Sequence, residues 1–329
     1  MICTSGGTDV VTNVKEDRGK AMDLMKEKLE KIENIESLDQ IDKINENKPN
    51  ARIYKDDELL YHYTDFIALN GILKERELRV NNVLNMNDSK EMELFVTGIT
   101  KAVEKRFASE NNDKMVANLE STLNAILNNF YDYSMYAACF SEYRNDAAQW
   151  ERYANRGKGI CLCFRKTELE KMAGGVIRIN KVSYQDNMES HPLVEELYQY
   201  LQKHEKPEYS STLMEAIKEA WWSSASFKHP SFSSEHEVRL VLMPFADSDF
   251  DLKPGYHVSD ERIKKYYPLN LDQMCQNAGI TLEDLIVELI VGPESTQSEP
   301  ILKDYLCDIG LTRLAGHIYQ SDCPLRSKL

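Results

Sequence analysis

Two glutamates separated by one residue, Glu235 and Glu237, precede Arg239 in a segment that is predicted to be a strand. With a side-chain period of two, all three point to one face of that strand. A carboxylate on a half-buried strand is costly unless it is paired or functional. Arg239 can pair with Glu237 for structural reasons alone. The functional interpretation is that Glu237 orients a ribose hydroxyl and stabilises an oxocarbenium-like centre, with Glu235 nearer the acceptor.

A histidine and a threonine alternate along the segment Leu60–Thr64, just before a predicted helix. His62 and Thr64 point to one face of this predicted strand, and the two tyrosines point to the other. A histidine beside a hydroxyl at the end of a strand can hold a ribose diol by hydrogen bonds. A structural histidine with satisfied hydrogen bonds fits the same pattern, so both interpretations stand.

A serine comes directly after the predicted strand at residues 135–140, and two aromatic residues lie in the predicted helix over residues 146–154. Ser141 ends an apolar run. Trp150 and Tyr153 lie three residues apart and therefore share one face of the helix. That pair could stack on a nicotinamide ring or a base, although aromatic residues at this spacing also occur in ordinary cores.

Other polar residues have weaker patterns. Asp88 and Glu91 have the spacing of a helix N-cap and its capping-box partner. Lys228 and the histidine after it could contact a diphosphate or simply lie at the surface. A nuclease or phosphotransferase would have to recruit Asp88, Glu91 and Asp146, and nothing in the sequence fixes their mutual geometry.

The local motifs of the commonest enzyme classes do not occur in this sequence. It has no GxGxxG for a Rossmann dinucleotide site, no Walker A motif and no GxSxG nucleophile elbow. It also lacks HExxH and paired-cysteine zinc patterns, and its histidines are scattered. We therefore expect no dedicated metal site.

Composition limits the possible partners and the compartment. The 329 residues include 54 acidic and 40 basic ones, for a net charge of -14. This charge opposes a broad nucleic-acid footprint and leaves room for a narrow basic strip. The seven cysteines form no CxxC pair, which favours reduced thiols in a cytoplasm. No apolar run is long enough for a membrane span and no signal peptide is recognisable, so a soluble cytoplasmic protein is expected.

Strands and helices are mixed without a regular βαβ alternation, which predicts an α+β fold. Residues 1–50 are predicted to be an amphipathic helical segment with a linker, and residues 51–329 the main domain. The apolar residues of the first segment follow alternating three- and four-residue steps, at Met22, Met25, Leu29 and Ile32. This seam, within residues 14–44, either packs on its own domain or binds a partner or a second copy.

The main domain has a recognisable order of elements. Strands are predicted at residues 59–63, 77–81, 135–140, 159–164, 176–184, 237–243, 285–291 and 317–319. Helices are predicted from Thr64 or Asp65 to Leu73, from Asn85–Asp88 to Phe107, and over residues 114–130, 146–154, 192–203, 211–222 and 299–308.

Five separated motifs carry a family likeness over residues 58–320. They are LYHYT, NMNDSKEME, CFSEYRNDAAQWERYANRGKGICLCF, FKHPSFSSEHEVRLV and LIVELIVGP, in that order. Together they resemble the bacterial proteins catalogued as domain-of-unknown-function family 2971. That likeness implies no reaction.

A more distant resemblance does imply one. The stretch HYTDFIALNGILKERELRV resembles the opening of ADP-ribosyltransferase-type folds, which include DNA-modifying toxins and RNA 2′-phosphotransferases. This resemblance implies mixed and antiparallel sheets in a split β core with inserted helices. It implies that His62 holds the ribose of NAD, that Ser141 or Tyr153 forms the central element, and that Glu237 is catalytic. The first position is His where Arg usually accompanies a paired-Glu signature.

The expected function is therefore an NAD-dependent ADP-ribosyltransferase or NAD glycohydrolase, such as a toxin or phage-defence effector. NAD would be the substrate, and a protein or a nucleic acid the acceptor. The site would comprise the catalytic Glu235 and Glu237 with cofactor contacts from His62, Thr64, Ser141, Trp150, Tyr153 and Arg239. The alternative is a non-catalytic domain that binds a nucleotide or a peptide in the same cleft.

Overall fold

A computed structural model describes residues 55–83, 91–108, 135–185, 187–203, 219, 221–244, 250–258 and 262–325. The chain divides into residues 1–53 and 54–329, and all described residues belong to the second unit. The predicted seam at Met22–Ile32, the linker at residues 45–50, the helix cap at residues 85–88 and the helix at residues 114–130 lie outside the described residues. The domain boundary near residue 50 stays a prediction.

The described chain alternates between strands and helices without a repeating unit. The strands are β1 (Leu59–Thr64), β2 (Glu77–Asn82), β3 (Tyr136–Ser141), β4 (Ile160–Arg165), β5 (Ile177–Lys181), β6 (Ser183–Tyr184), β7 (Phe227–Lys228), β8 (Glu237–Leu242), β9 (Gly255–Val258), β10 (Ile263–Asn270), β11 (Ile286–Val291) and β12 (Ile318–Gln320). The helices are α1 (Phe66–Leu73), α2 (Glu91–Ala108), α3 (Ala147–Tyr153), α4 (Lys166–Glu170), α5 (Pro192–Lys203), α6 (Leu271–Ala278), α7 (Leu282–Leu285) and α8 (Glu299–Asp308). Short 3₁₀ helices occur at Asp56–Glu58, Pro230–Glu235 and Leu314–Gly316.

Side-chain caps start the two helices that follow β1 and β3. Asp65 accepts a hydrogen bond from the Ala68 amide before α1, and Asp146 accepts one from the Gln149 amide before α3. Each cap satisfies an amide that has no partner within its helix. Both predicted helix starts are therefore found where the sequence places them.

Most strands form one ten-stranded sheet in the order β12-β11-β4-β1-β3-β2-β10-β9, with β8 on β3 and β5 on β8. The β11–β12 pair is parallel, and the other pairs of this sheet are antiparallel. Strands β6 and β7 form a separate parallel pair. The fold is therefore α+β with a mixed sheet, as expected from the order of elements.

The sheet divides at β3. One edge of β3 pairs with β8 along its whole length. The other edge is shared, because Ser141 pairs with β1 while Tyr136 and Ala137 pair with β2. Strands β1 and β2 thus lead into two separate groups of strands that meet at one central strand.

The two faces of the sheet differ in chemistry. Side chains alternate between the faces of a strand, and directly paired residues share a face. On the first face, one row of paired residues crosses five strands, in the order Glu288, Cys163, Tyr61, Ser141 and Glu237. Helices α2, α3 and α5 pack on this face. We call it the network face.

The opposite face is aliphatic. It carries Leu60, Phe140, Leu162 and Val238, which alternate with the residues of the polar row. Helices α1, α6, α7 and α8 contribute further leucines and isoleucines to the same core. We call it the aliphatic face. Burial of this apolar surface supplies the main favourable free energy of folding.

Candidate functional site

Lys228 lies between two glutamates and binds both of them. Its Nζ donates a hydrogen bond to Glu235 Oε2 at 2.6 Å and another to Glu237 Oε2 at 2.9 Å. All three side chains are at most 7% exposed. A buried charge requires an opposite charge and hydrogen bonds, and here one ammonium group serves two carboxylates. The two glutamates identified in the sequence therefore converge on one cation.

Arg239 holds Glu237 from the same strand. Its Nε donates to Glu237 Oε1 at 2.8 Å and its Nη2 donates to Oε2 at 3.1 Å, which is a bidentate contact. Its Nη1 donates to the carbonyl of Ala225 at 2.8 Å. Arg239 has 0% exposure and thus no surface to offer to a bound cofactor. The pairing of Arg239 with Glu237, which the sequence left open, is formed. The cofactor contact of Arg239 stays a prediction, and its burial argues against it.

Glu237 is ionised in this environment. Burial alone would raise the pKa of Glu237, but the charges of Arg239 and Lys228 and a hydrogen bond from the Cys139 thiol hold it at about 2. Burial and the same carboxylate raise the pKa of Cys139, so the thiol keeps its proton. Glu237 is therefore an anchored carboxylate with strong donors on both of its oxygens.

Arg152 and Tyr153, in the last turn of α3, contact Glu235. Both donate to Glu235 Oε1, at 2.9 and 3.0 Å. The Arg152 side chain is 47% exposed, and Tyr153 is half-buried. Burial and the charge of Glu235 raise the pKa of Tyr153, so its hydroxyl remains a donor. Glu235 thus contacts a buried cation through one oxygen and two residues near the surface through the other.

The backbone before β8 explains how Glu235 and Glu237 both reach Lys228. Glu235 is the last residue of the 3₁₀ helix Pro230–Glu235, and not part of the strand as predicted. His236 then adopts a left-handed conformation with φ 44°, which is uncommon for a residue with a side chain. The amide of Glu237 donates to Tyr184 Oη at 2.8 Å. This turn, rather than strand alternation, directs Glu235 towards Lys228.

Ser141 and Gln149 bind the backbone carbonyl of Glu235. Ser141 Oγ donates to the carbonyl of Glu235 at 2.9 Å and accepts from the Tyr143 amide at 3.2 Å. Gln149 Nε2 donates to the same Glu235 carbonyl at 3.3 Å. Ser141 is only 2% exposed. It therefore lies beside the glutamates as predicted, but it holds protein backbone.

His62 does not join this group. Ser141 pairs with Tyr61 and with Glu237, so those three residues share the network face. His62 and Thr64 alternate with Tyr61 and belong to the aliphatic face. The His62 ring lies 5.5 Å from the Phe140 ring and 6.3 Å from the Phe164 ring. The expected arrangement, in which His62 and Glu237 contact one ribose, is not formed because the sheet separates them.

His62 is half-buried, and its contacts are structural. Its Nδ1 donates to the carbonyl of Cys139 at 2.8 Å. Burial lowers the pKa of His62, and this outweighs the opposite effect of the hydrogen bond. The neutral ring is thus the stable form in the folded protein. The structural interpretation of this histidine is the one that the geometry supports.

We expect His62 to make the protein less stable in mild acid. The folded pKa lies below the ordinary 6.5, so the unfolded chain takes up a proton first as the pH falls through that value. The free energy of unfolding should then decrease. Urea unfolding at pH 7.5 and pH 5.5 should show a smaller decrease for His62→Asn, which retains a donor for Cys139. The exposed His257 provides the control: His257→Asn should match the wild type, and equal slopes for His62→Asn and wild type would contradict the assignment.

Trp150 is a core residue and not a stacking platform. It has 0% exposure and packs edge-on against Tyr63, with ring centroids 4.9 Å apart. Its indole N–H donates to Asn145 Oδ1 at 2.9 Å. Tyr153, three residues later, points to Glu235 instead. The two rings therefore face different partners, and the burial of Trp150 favours its core interpretation over stacking on a ligand.

Sequence reasoning missed two members of the site. The sequence suggests Lys228 as a diphosphate contact or a surface residue, and it gives no role to Arg152. A lysine nine residues before a strand glutamate has no local signature. Its position depends on the parallel pairing of β6 with β7. Arg152 next to Tyr153 in the last turn of a predicted helix was the available signal.

The comparison with known families concerns the same part of the chain. Residues 149–240 match the profile of a family described as "protein of unknown function (DUF2971)". The likeness to family 2971, expected over residues 58–320, is confirmed over this stretch. The stretch that matches family 2971 extends from α3 to β8 and includes Arg152, Tyr153, Lys228, Glu235 and Glu237. No curated protein and no solved structure matches the chain significantly.

Two further features, a metal-binding cluster and a membrane-spanning helix, are missing from the part of the chain that the structure describes. Within these residues, no group of three His, Cys, Asp or Glu side chains is arranged to hold a metal ion. In the same part of the chain, no helix is both long and apolar enough to cross a membrane. The arrangement that stands out in this region is therefore the charged network, defined as Lys228, Glu235, Glu237, Arg239 and Arg152.

Proposed function

We propose that the chain is an NAD-consuming enzyme of the ADP-ribosyltransferase type, with the charged network as its active site. The observation that carries this proposal is the position of Glu235. One of its oxygens binds the buried Lys228 and the other binds Arg152 and Tyr153 near the surface. The resemblance of the sequence to ADP-ribosyltransferases supports NAD as the substrate.

The roles of the two glutamates differ from the sequence expectation. Glu237 is bound by Arg239 and Lys228 on both oxygens, which leaves it little capacity to bind a ribose hydroxyl. Glu235 Oε1 can accept one instead if Arg152 moves aside, since Arg152 is 47% exposed. We therefore assign the substrate contact to Glu235, and Glu237 becomes a positioning residue that anchors Lys228.

The charge of the network is consistent with an anionic substrate. It contains three cations, Arg152, Lys228 and Arg239, and two carboxylates, Glu235 and Glu237. Arg152 is the exposed member of this set. A guanidinium group released from Glu235 can bind a diphosphate through two parallel hydrogen bonds. A dinucleotide supplies this diphosphate together with a ribose diol for the carboxylate.

The reaction follows from these contacts. The bond between C1′ of the ribose and the nicotinamide nitrogen breaks, and nicotinamide leaves with the electron pair. Glu235, hydrogen-bonded to a ribose hydroxyl, stabilises the oxocarbenium ion that forms. Water or an acceptor on a protein or nucleic acid then attacks C1′ and releases a proton. The products are free nicotinamide and ADP-ribose, which is free if water attacks and attached if the acceptor attacks.

The test is the release of nicotinamide from NAD by the full chain, measured by chromatography. We expect Glu235→Gln to reduce the rate by at least about 100-fold, the scale at which removing a preorganised electrostatic contact acts. Glu299→Gln is the matched control, because this exposed glutamate pairs with Lys303 on α8. It should retain the wild-type rate.

A wild-type protein that releases no nicotinamide, alone or with protein and nucleic-acid acceptors, would contradict the proposal. An unchanged rate in Glu235→Gln would contradict the residue assignment. Because Glu235 is buried, thermal unfolding of each variant must accompany the assay. Arg152→Ala offers a second variant at a half-exposed position, and we expect it to raise the KM for NAD.

Binding without turnover is the second candidate function. It is favoured by the saturation of Glu237, whose oxygens both have donors within the protein. A domain of this kind should be stabilised against heat by NAD or ADP-ribose while releasing no nicotinamide. The two candidates are thus separated by the same pair of measurements.

A further inference from the structure

Strands β2, β10 and β9 form one end of the sheet order, away from the charged network. We call them the outer strands. Tyr266 pairs with Asn81 and with Gly255, Pro268 pairs with Arg79, and Lys264 pairs with His257. Paired residues share a face, so these side chains lie together. Arg79 and His257 are exposed, while Lys264 and Tyr266 are half-buried.

Tyr266 lies across the surface of this face. A Cβ atom on Gly255 would come within 2.5–2.8 Å of the Tyr266 ring end and its hydroxyl. The ring therefore lies directly over the glycine, and any other residue at position 255 would displace it. The Arg79 guanidinium lies 4.8 Å from the centroid of the same ring. An aromatic ring laid on the sheet and stacked with a guanidinium group offers a platform for a planar ligand.

Two cations and a histidine lie on the same face as the ring. Arg79, Lys264 and His257 lie on three adjacent strands, which places them across about 10 Å, or two strand spacings. Glu77 lies on the same face beyond Arg79, paired with Asn270, and limits the cationic stretch on that side. In a protein with a net charge of -14, such a local surface attracts a polyanion that the rest of the molecule repels.

The other face of β9 and β10 repeats the combination of tyrosine and lysine. Lys265 Nζ lies 5.9 Å from the ring centroids of Tyr136 and Tyr267. Tyr256, which pairs with Lys265, is 62% exposed. On this face Tyr256 is the exposed ring, since Tyr136 and Tyr267 are buried.

We propose that the outer strands bind single-stranded nucleic acid, with a base on the Tyr266–Arg79 stack and phosphates beside the charges of Arg79 and Lys264. Base stacking on aromatic or arginine planes combined with a short cationic track is the usual basis of single-strand binding. This inference does not depend on the proposed NAD chemistry.

The test uses the full chain and fluorescein-labelled 12-nucleotide oligo-dT and oligo-U, measured by fluorescence anisotropy. We expect Tyr266→Ala to weaken binding at least about fivefold, since one stacked base contributes on that scale. Tyr266→Phe should bind like the wild type. With two cationic contacts, from Arg79 and Lys264, the logarithm of affinity should fall with the logarithm of salt at a slope of about -1.4.

Arg79→Gln combined with Lys264→Gln should bring that slope close to zero. The matched control is Lys101→Gln with Lys303→Gln, at exposed lysines on α2 and α8, and its slope should not change. Absence of binding at low salt would overturn the proposal. So would equal affinity for polyglutamate or for duplex DNA, or equal weakening by the control pair. If Tyr266→Ala does not fold, the comparison of Tyr266→Phe with the Arg79 and Lys264 pair still decides.

Discussion

Replacing Glu237 with glutamine is expected to lower the free energy of unfolding by about 3 kcal/mol at pH 7. The pKa of Glu237 is about 2 in the folded protein, compared with an ordinary 4.5, and each unit corresponds to about 1.4 kcal/mol. The physical cause is the loss of the carboxylate that neutralises Arg239 and shares Lys228. Breaking a buried ion pair by removing one partner has a similar magnitude. Urea unfolding of wild type and variant measures the difference.

The same substitution has a defined pH dependence. A depressed folded pKa means that Glu237 stabilises the protein fully above pH 4.5, and that this contribution disappears as the pH falls towards 2. The difference between wild type and Glu237→Gln should therefore be constant from pH 7 to about pH 5. It should shrink steadily between pH 4.5 and pH 3.

Glu142→Gln serves as the control. Glu142 pairs with Lys181 at 2.6 Å, but its side chain is 26% exposed and that of the lysine 63%. A pair of this kind contributes less than about 1 kcal/mol because water screens it. Similar losses in the two variants would show that the network face does not hold Glu237 in a buried ion pair.

Replacing Trp150 with alanine is expected to lower the free energy of unfolding by about 3–5 kcal/mol. The side chain has 0% exposure, packs against Tyr63 and donates to Asn145. Its removal leaves a cavity between α3 and the network face. Since α3 also carries Arg152 and Tyr153, the variant should weaken ligand binding at the charged network as well. Thermal and urea unfolding give the stability.

Ile67→Ala is the comparison for this prediction. Ile67 lies on α1 and is 83% exposed, so its truncation should change stability by less than about 0.5 kcal/mol. Trp150→Phe should fall between the two, because it keeps a ring but loses the indole hydrogen bond. If Trp150→Ala were as stable as Ile67→Ala and bound NAD more weakly, Trp150 would have to be a ligand contact after all.

Local patterns were sufficient where one segment determines its own structure. The helices at Pro192–Lys203 and Glu299–Asp308 have the bounds predicted from their periodicity. Glu237 and Arg239 share a strand face because the side-chain period is a property of the strand itself. The α+β class followed in the same way from the order of elements.

The candidate site depended on information that no single segment contains. Whether His62 and Glu237 share a face is decided by the pairing of Tyr61 with Ser141 and of Ser141 with Glu237. A shift of one residue in either pairing would have reversed the result. The sequence places Glu235 beside Glu237 through strand alternation, whereas in the structure a left-handed turn at His236 directs it there.

The region between β8 and β11 shows another limit of sequence patterns. No element was predicted there, yet β9, β10, α6 and α7 occupy it. Strand β10 contains a proline, and its exposed and buried residues follow no clean alternation over its first half. The strand is defined by its pairing with β2, about 190 positions earlier in the chain.

The division of the sheet at β3 determines how much of the chain must be synthesised before the sheet can form. The group of strands next to β1 needs β11, and the group next to β2 needs β10. Neither group is therefore complete until most of the chain has left the ribosome. Every pairing of β3 also closes a loop of roughly 50 residues or more, so ordering of this strand carries a large entropic cost before any compensating burial. A nascent chain that ends before β8 leaves Ser141 and its neighbours without the strand that covers them.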